Sequence, residues 1–292
     1  MGKEETIGKE YEDLWADPKK IKRHNHHVAL GWHLGFYENG VKSYNEAVIN
    51  MNNYVGKLLN ITDSSSRILD AGCGVGATTI HLAAQYPNCH FFGITLSENE
   101  LAYAEEIKAK YKLANATFFR QSYHHTEFPS GSFDGVFALE SACYADENSF
   151  LKEMKRLLKE NGRLAVIDFF RKYDVDNRYI KAIVTTILKE RKYVRRRTIS
   201  TFKEQLTHLK FTQITSTDLL QTGNVKWFFV YGFLFQYLFK RLLVETKENI
   251  RKKKTHSFLS IGLFLHRFFF RMVILLLTRP RYYAITAVKS HF

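Results

Sequence analysis

Residues 67–80 read RILDAGCGVGATTI, and the rest of the fold can be built outward from them. Arg67 to Ala71 is a short apolar run of the kind that forms a buried strand, and ATTIHLAAQY (77–86) has helical spacing. Between them stand Gly72, Gly74 and Gly76, residues that let the backbone take positive φ and approach a ligand closely. Strand, glycine turn and helix form the leading unit of an open α/β sheet, which binds ligands at the carboxyl ends of its strands. The glycines run G-x-G-x-G, not the G-x-G-x-x-G of a dinucleotide fingerprint. Asp70, two residues ahead of the first glycine, repels phosphate and suits a cationic or amino-acid-bearing ligand. A turn selected only for packing is the plainer alternative.

The pattern continues on the C-terminal side. CHFFGITL reads as a second strand, and SENELAYAEEIKAKYKL as a helix opening at a Ser97 cap. ATFFRQS and FDGVFALES read as strands three and four. The helix ENSFLKEMKRLLKEN follows, with Gly162 past its end, then RLAVIDFF as strand five. FTQITSTDL and YYAITAVKS complete the strands. Strands alternating with helices predict an α/β fold, a doubly wound, mostly parallel sheet. The chain divides into a helical cap (1–65), a core (66–218), an apolar basic insert (219–280) and a last strand with the C-terminus (281–292).

The chain has 292 residues, with 43 Lys+Arg against 29 Asp+Glu, and is 45% hydrophobic, the balance of a globular protein. Its positive charge is confined to one part. Residues 1–170 hold 18 basic and 22 acidic residues, and residues 171–292 hold 25 and 7. That second part carries the aromatic strings WFFVYGFLFQYLF and FLHRFFFRMVILLL and the basic runs Lys189–Arg197 and Arg251–Lys254. Basic residues among aromatics suit an anionic membrane surface or a nucleic acid, though such runs also occur as solvated helix ends. Phe258–Thr278 is long enough to span a bilayer, but it contains His266, Arg267 and Arg271. Each charge near the centre costs about 2.5–3.5 kcal/mol, so an interfacial hairpin or a lid over a lipophilic pocket is expected instead.

Cys73, Cys89 and Cys143 form no C-x-x-C pair, so neither a disulfide framework nor a zinc knuckle is expected. His24, His26, His27, His124 and His125 lack metal-ligand spacing, and no metal site is assigned. The opening MGKEETIGKE lacks the apolar run of a secretory signal, although Gly2 and Thr6 fit the loose myristoylation pattern. A cytoplasmic protein, peripheral on a membrane surface, is the expectation.

DAGCGVGATTIHLA resembles motif I of the class I S-adenosylmethionine (SAM)-dependent methyltransferases, and the order of strands and helices resembles theirs. The resemblance implies SAM as cofactor, with Asp70, Gly72, Gly74 and Gly76 at its methionine end. It places Thr95, Leu96 and Glu100 near the ribose, and Ser122 and Tyr123 near the adenine. Two positions depart from the usual pattern. Thr95 stands where many members carry an acidic residue, and Ser122 where they often carry Asp. Glu100 either replaces the ribose carboxylate or is an exposed helix residue.

GITLS and LESACYAD resemble the sterol C-methyltransferase and cyclopropane-fatty-acid synthase branch, and HLGFY resembles strings in sterol and tocopherol methyltransferases. By that resemblance the acceptor is a lipophilic small molecule, an isoprenoid, sterol-like or unsaturated lipid methylated on carbon. Glu140 is then the candidate base, with Tyr144 and Tyr37 as catalytic aromatics and Cys143, Trp32 and Phe36 nearby. Each aromatic also has a simple reading as core packing. An oxygen or nitrogen methyltransferase on a small metabolite or quinol head group is the first rival, with a loop histidine as base. An RNA-directed enzyme is the second. It is disfavoured by the absence of N-P-P-Y or D-P-P-Y after strand four, and it predicts steeply salt-dependent RNA binding.

Overall fold

The computed structural model describes residues 8–9, 12, 31, 33–38, 40–171, 198–226 and 280–290. Helix α1 (Tyr44–Leu58) leads into β1 (Arg67–Ala71), α2 (Ala77–Gln85), β2 (His90–Thr95), α3 (Glu98–Lys110) and β3 (Ala116–Arg120). There follow β4 (Phe133–Leu139), a short 3₁₀ turn (Ala142–Tyr144), α4 (Glu147–Leu157), β5 (Leu158–Arg171), α5 (Ile199–His208), β6 (Phe211–Asp218) and β7 (Pro280–Lys289).

The strands form one sheet in the order β3-β2-β1-β4-β5-β7-β6, with β7 antiparallel to both β5 and β6. This is the expected doubly wound α/β sheet. Strands covered on both faces need apolar side chains throughout, and four of the five residues of RILDA are buried. Two cores flank the sheet. One holds Met51 and Val55 of α1, Ile80 and Leu82 of α2, and Tyr103 and Ile107 of α3. The other holds Phe150, Leu151 and Met154 of α4 with Phe202 and Leu206 of α5.

Chain order reverses between β1 and its neighbour β4, so a crevice opens at their carboxyl ends. The glycine turn leaves one of these strands and Glu140 the other. Because β7 runs antiparallel, its first residues reach the same end of the sheet.

Two boundaries differ from expectation. Helix α4 stops at Leu157, not at Asn161, because fully buried Leu158 already pairs with Phe133 of β4. Asn161 then takes a φ of 64°, a turn that aligns the rest of β5. Leu219 and Val225 are buried in the first core, so the first residues assigned to the insert pack with the sheet domain. The aromatic strings, both basic runs and much of the first thirty residues of the expected cap lie outside the described residues, as do Trp32, His24, His26 and His27. Among the described residues no helix is long and apolar enough to cross a membrane, and no cluster could hold a metal.

Candidate active site

The turn after β1 is tied to β2, with the amides of Gly72 and Cys73 donating to the Ile94 carbonyl at 3.0 and 2.9 Å. Gly72, Gly74 and Gly76 have φ of 93°, 52° and 77°, the left-handed region that the turn demands. Asp70 is buried beneath them and accepts a 2.7 Å hydrogen bond from the Thr79 hydroxyl on α2. Burial pushes its carboxyl up to about 7, against the pull of that hydroxyl. Asp70 therefore braces the turn against the first turn of α2.

Glu100 is not the exposed helix residue of the alternative reading. It is 5% exposed, and its Oε2 accepts from the Thr95 hydroxyl at 2.5 Å. Its Oε1 lies 3.7 Å from where a side chain on Gly74 would begin. Thr95 and Glu100 together thus place a buried carboxylate beside the glycine turn. Replacing Glu100 with Gln is expected to weaken cofactor binding about 10- to 100-fold, the loss of one charge-assisted hydrogen bond to a ligand hydroxyl. Titration calorimetry checks this, and unchanged affinity would remove Glu100 from the site.

Leu96 is half-buried and packs against Gly8 of the N-terminal segment. In the same segment the Glu12 carboxylate accepts from the Ser97 hydroxyl at 2.9 Å and from the amides of Glu98 and Asn99 at 2.6 and 3.0 Å. Ser97 caps α3 as expected, and Glu12 is an unforeseen second cap at this positive helix end.

Tyr123 lies against the other side of the turn, and Ser122 precedes it, its hydroxyl accepting the His124 amide at 3.1 Å. The Tyr123 hydroxyl donates to the Ser141 carbonyl at 3.2 Å, and its ring approaches Gly72. His124 Nε2 accepts the Asp146 amide at 2.8 Å, so this histidine fastens two loops and its lone pair is engaged.

Glu140 follows β4 with a φ of 52°, a costly conformation for a non-glycine residue. Its Oε1 accepts the Leu34 amide and the Tyr282 hydroxyl, each at 2.7 Å. Burial, helped by the charge of Asp168, pushes its carboxyl up to about 7 against those two donors. Leu34 belongs to the HLGFY string, whose His33 is wedged in the interior. His33 Nε2 lies 3.0 Å from Asn52 Oδ1 on α1, and the same oxygen accepts from the Thr78 hydroxyl on α2 at 2.8 Å. Burial lowers His33 to about 4, so it is neutral and structural.

The aromatics divide. Phe36 is buried and stacked on Tyr54 with centroids 4.3 Å apart, which makes it core packing. Tyr37 is half-buried beside residues 224–226. Its amide donates to the Asn224 carbonyl at 2.5 Å, and the Lys226 ammonium lies 5.7 Å from its ring centroid. Tyr144 ends the 3₁₀ turn that Glu140 leads into, half-buried, and Cys143 is on the same turn.

Three contributors were not singled out from the sequence. Tyr282 looks like one more aromatic in a strand. Tyr44, whose hydroxyl donates to the His33 carbonyl at 2.9 Å, is pushed up to about 12 by burial and then by Glu140. Asp168 is fully buried and accepts the amides of Cys143 and Phe169 at 2.6 and 2.7 Å. A carboxylate inside the apolar run VIDFF was a usable signal, since such a group is costly without a partner.

Comparison with known proteins gives the family. A family model described as a methyltransferase domain matches residues 62–231, more than half of the chain. An O-methyltransferase of Aspergillus nomiae is 32% identical over 106 residues, covering 36% of this chain and 47% of that protein. The sterol 24-C-methyltransferase of Saccharomyces cerevisiae is 30% identical over 114 residues, covering 38% and 30%. The chain thus spans less than half the length of these two relatives. Geranyl diphosphate C-methyltransferase from Streptomyces coelicolor A3(2) superposes with a TM-score of 0.63, covering 99% of this chain and 98% of that one. At 15% identity that is a likeness of fold. With more than half of its length matched by the family model, and with the sheet order and glycine turn described above, the chain belongs to the methyltransferase-domain family.

Proposed function

We propose that the protein transfers a methyl group to carbon of a lipophilic small molecule, an isoprenoid, sterol-like or unsaturated lipid. The observation that carries this reading is the half-buried Glu140 carboxyl at the end of β4, held by two donors in an aromatic setting. The residues present fit the cofactor. The glycine backbone suits its methionine end, Glu100 with Thr95 its ribose, and Ser122 with Tyr123 its adenine side. Bound there, it supplies a methyl already activated on a sulfonium, so positioning and exclusion of water account for most of the acceleration.

An alkene carbon that takes the methyl leaves positive charge on the adjoining carbon. A nearby carboxylate stabilises that charge, and Glu140 takes the proton whose loss restores the double bond. With its carboxyl near 7, Glu140 is substantially in the basic form at neutral pH. The basic C-terminal portion would bring the active site to an anionic bilayer that holds the acceptor.

The test uses SAM with a labelled methyl and vesicles of membrane lipid, with and without anionic lipid. Label in the lipid as a carbon-bound methyl by NMR, together with sedimentation of the protein on anionic vesicles only, is expected. Label on oxygen or nitrogen supports the rival class represented by the Aspergillus relative. The absence of lipid label overturns the reading.

A further inference from the structure

We infer that Tyr282, brought to the site by the antiparallel strand β7, is a positioning residue for Glu140: its hydroxyl fixes one carboxyl oxygen and leaves Oε2 as the atom that takes the acceptor's proton. This rests on the reading of Glu140 as the base, and it adds a strand that the sequence marks only as structural.

Packing alone does not call for this hydroxyl. Tyr282 is fully buried, with its ring edge-on to Phe169 at 5.0 Å, and phenylalanine would fill that space equally well. A buried phenol needs a partner. Here the partner is Glu140 Oε1 at 2.7 Å. The same oxygen accepts the Leu34 amide at 2.7 Å. Two donors from separate elements, the loop ahead of α1 and the first residues of β7, saturate Oε1. Among the described residues none donates to Oε2.

The groups facing Glu140 determine which way its charge responds. Asp168 on β5 disfavours the ionised form, as does burial, while the Leu34 amide and the Tyr282 hydroxyl favour it. On the facing elements Tyr44 of α1 and Tyr282 of β7 are themselves held in the neutral form by burial and by Glu140. Tyr37 adds to the field around Tyr44. The remaining close group is the Cys143 thiol, 3.6 Å from the Glu140 carbonyl. Removing the Tyr282 hydroxyl therefore subtracts one of two stabilising donors and moves the midpoint of Glu140 upward.

Infrared difference titration of the cofactor-free protein reads this directly, with the Glu140 band assigned by its loss in Glu140→Gln. In Tyr282→Phe the midpoint is expected to rise by about one to two pH units, the loss of one hydrogen bond to a charged group. In turnover, the rising limb of kcat against pH should move with it while KM for the acceptor holds. An unmoved midpoint overturns the proposal, as does a change confined to thermal stability or KM. If Tyr282→Phe does not fold, 3-fluorotyrosine at position 282 keeps the shape and donates more strongly. It should lower the midpoint, and no movement overturns the proposal. The titration needs no acceptor. A shifted midpoint with no carbon-methylated product would reject the proposed acceptor chemistry and leave the role of Tyr282 standing.

Discussion

Glu140→Gln is expected to lower kcat about 10²- to 10⁴-fold while leaving cofactor affinity nearly unchanged, the usual effect of removing a general base. The amide oxygen of Gln still accepts the Leu34 amide and the Tyr282 hydroxyl, so the loop and β7 stay docked. What is lost is the capacity to take a proton. Stability should move the other way. In the folded protein Glu140 titrates near 7 instead of 4.5, so folding favours its protonated form. That contribution is fully present below pH 4.5 and is lost as pH rises through 7, by on the order of 3 kcal/mol if the displacement is realised in full. Asp70, raised by burial to about 7, behaves the same way in both proteins. The variant should therefore gain in thermal stability relative to the parent between pH 5 and pH 8, while remaining nearly inactive at both. Melting curves and single-turnover rates across that range measure the two effects. Full activity in the variant would remove the proposed base.

Alanine at Gly72 and alanine at Gly74 are expected to fail for different reasons. A side chain at Gly72 would start 2.5 Å from Ser141 Cβ, at a φ of 93°. The strained backbone costs about 1–2 kcal/mol and the overpacking about 1–3 kcal/mol. Ser141 has little room to retreat, because its hydroxyl is held by the Ala71 carbonyl at 2.6 Å. The melting temperature of Gly72→Ala should fall by on the order of 10 °C without any ligand present. At Gly74 the φ of 52° lies in the left-handed well, and the first atom met is Glu100 Oε1 at an ordinary 3.7 Å. The fold should tolerate that methyl at a cost of about 1 kcal/mol. It occupies the space between turn and carboxylate, however, so cofactor affinity should fall about tenfold or more. Differential scanning and titration calorimetry separate the two effects. Equal loss of stability in both variants, or full affinity in Gly74→Ala, would contradict this account of the turn.

Local chemistry carried much of the site into the sequence. The glycine turn, the Ser97 cap and the strand-helix alternation are each written in neighbouring residues, because φ preference, capping and burial periodicity act over a few positions. Glu140 could also be marked in advance, as a carboxylate directly after an apolar strand. The family was legible for the same reason, since motif I is one uninterrupted stretch.

Other roles depend on contacts between residues far apart in the chain. Nothing near Glu100 says whether it points outward. The 2.5 Å bond from Thr95, on the preceding strand end, turns it over the glycines. Asp70 is marked from the sequence as a ligand contact, but its bond from Thr79 on the next helix is seen only in the fold. Phe36 looked like a site aromatic until it stacked on Tyr54. Tyr282 is separated from Glu140 by 142 residues, and only the antiparallel entry of β7 at the crevice end of the sheet brings them together. The sequence by itself determined the sheet, its cofactor turn and the candidate base, whose signals are local. Which carboxylates and phenols share a proton environment was decided by tertiary structure, because charge and hydrogen bonding depend on distance in space and carry no mark of it along the chain.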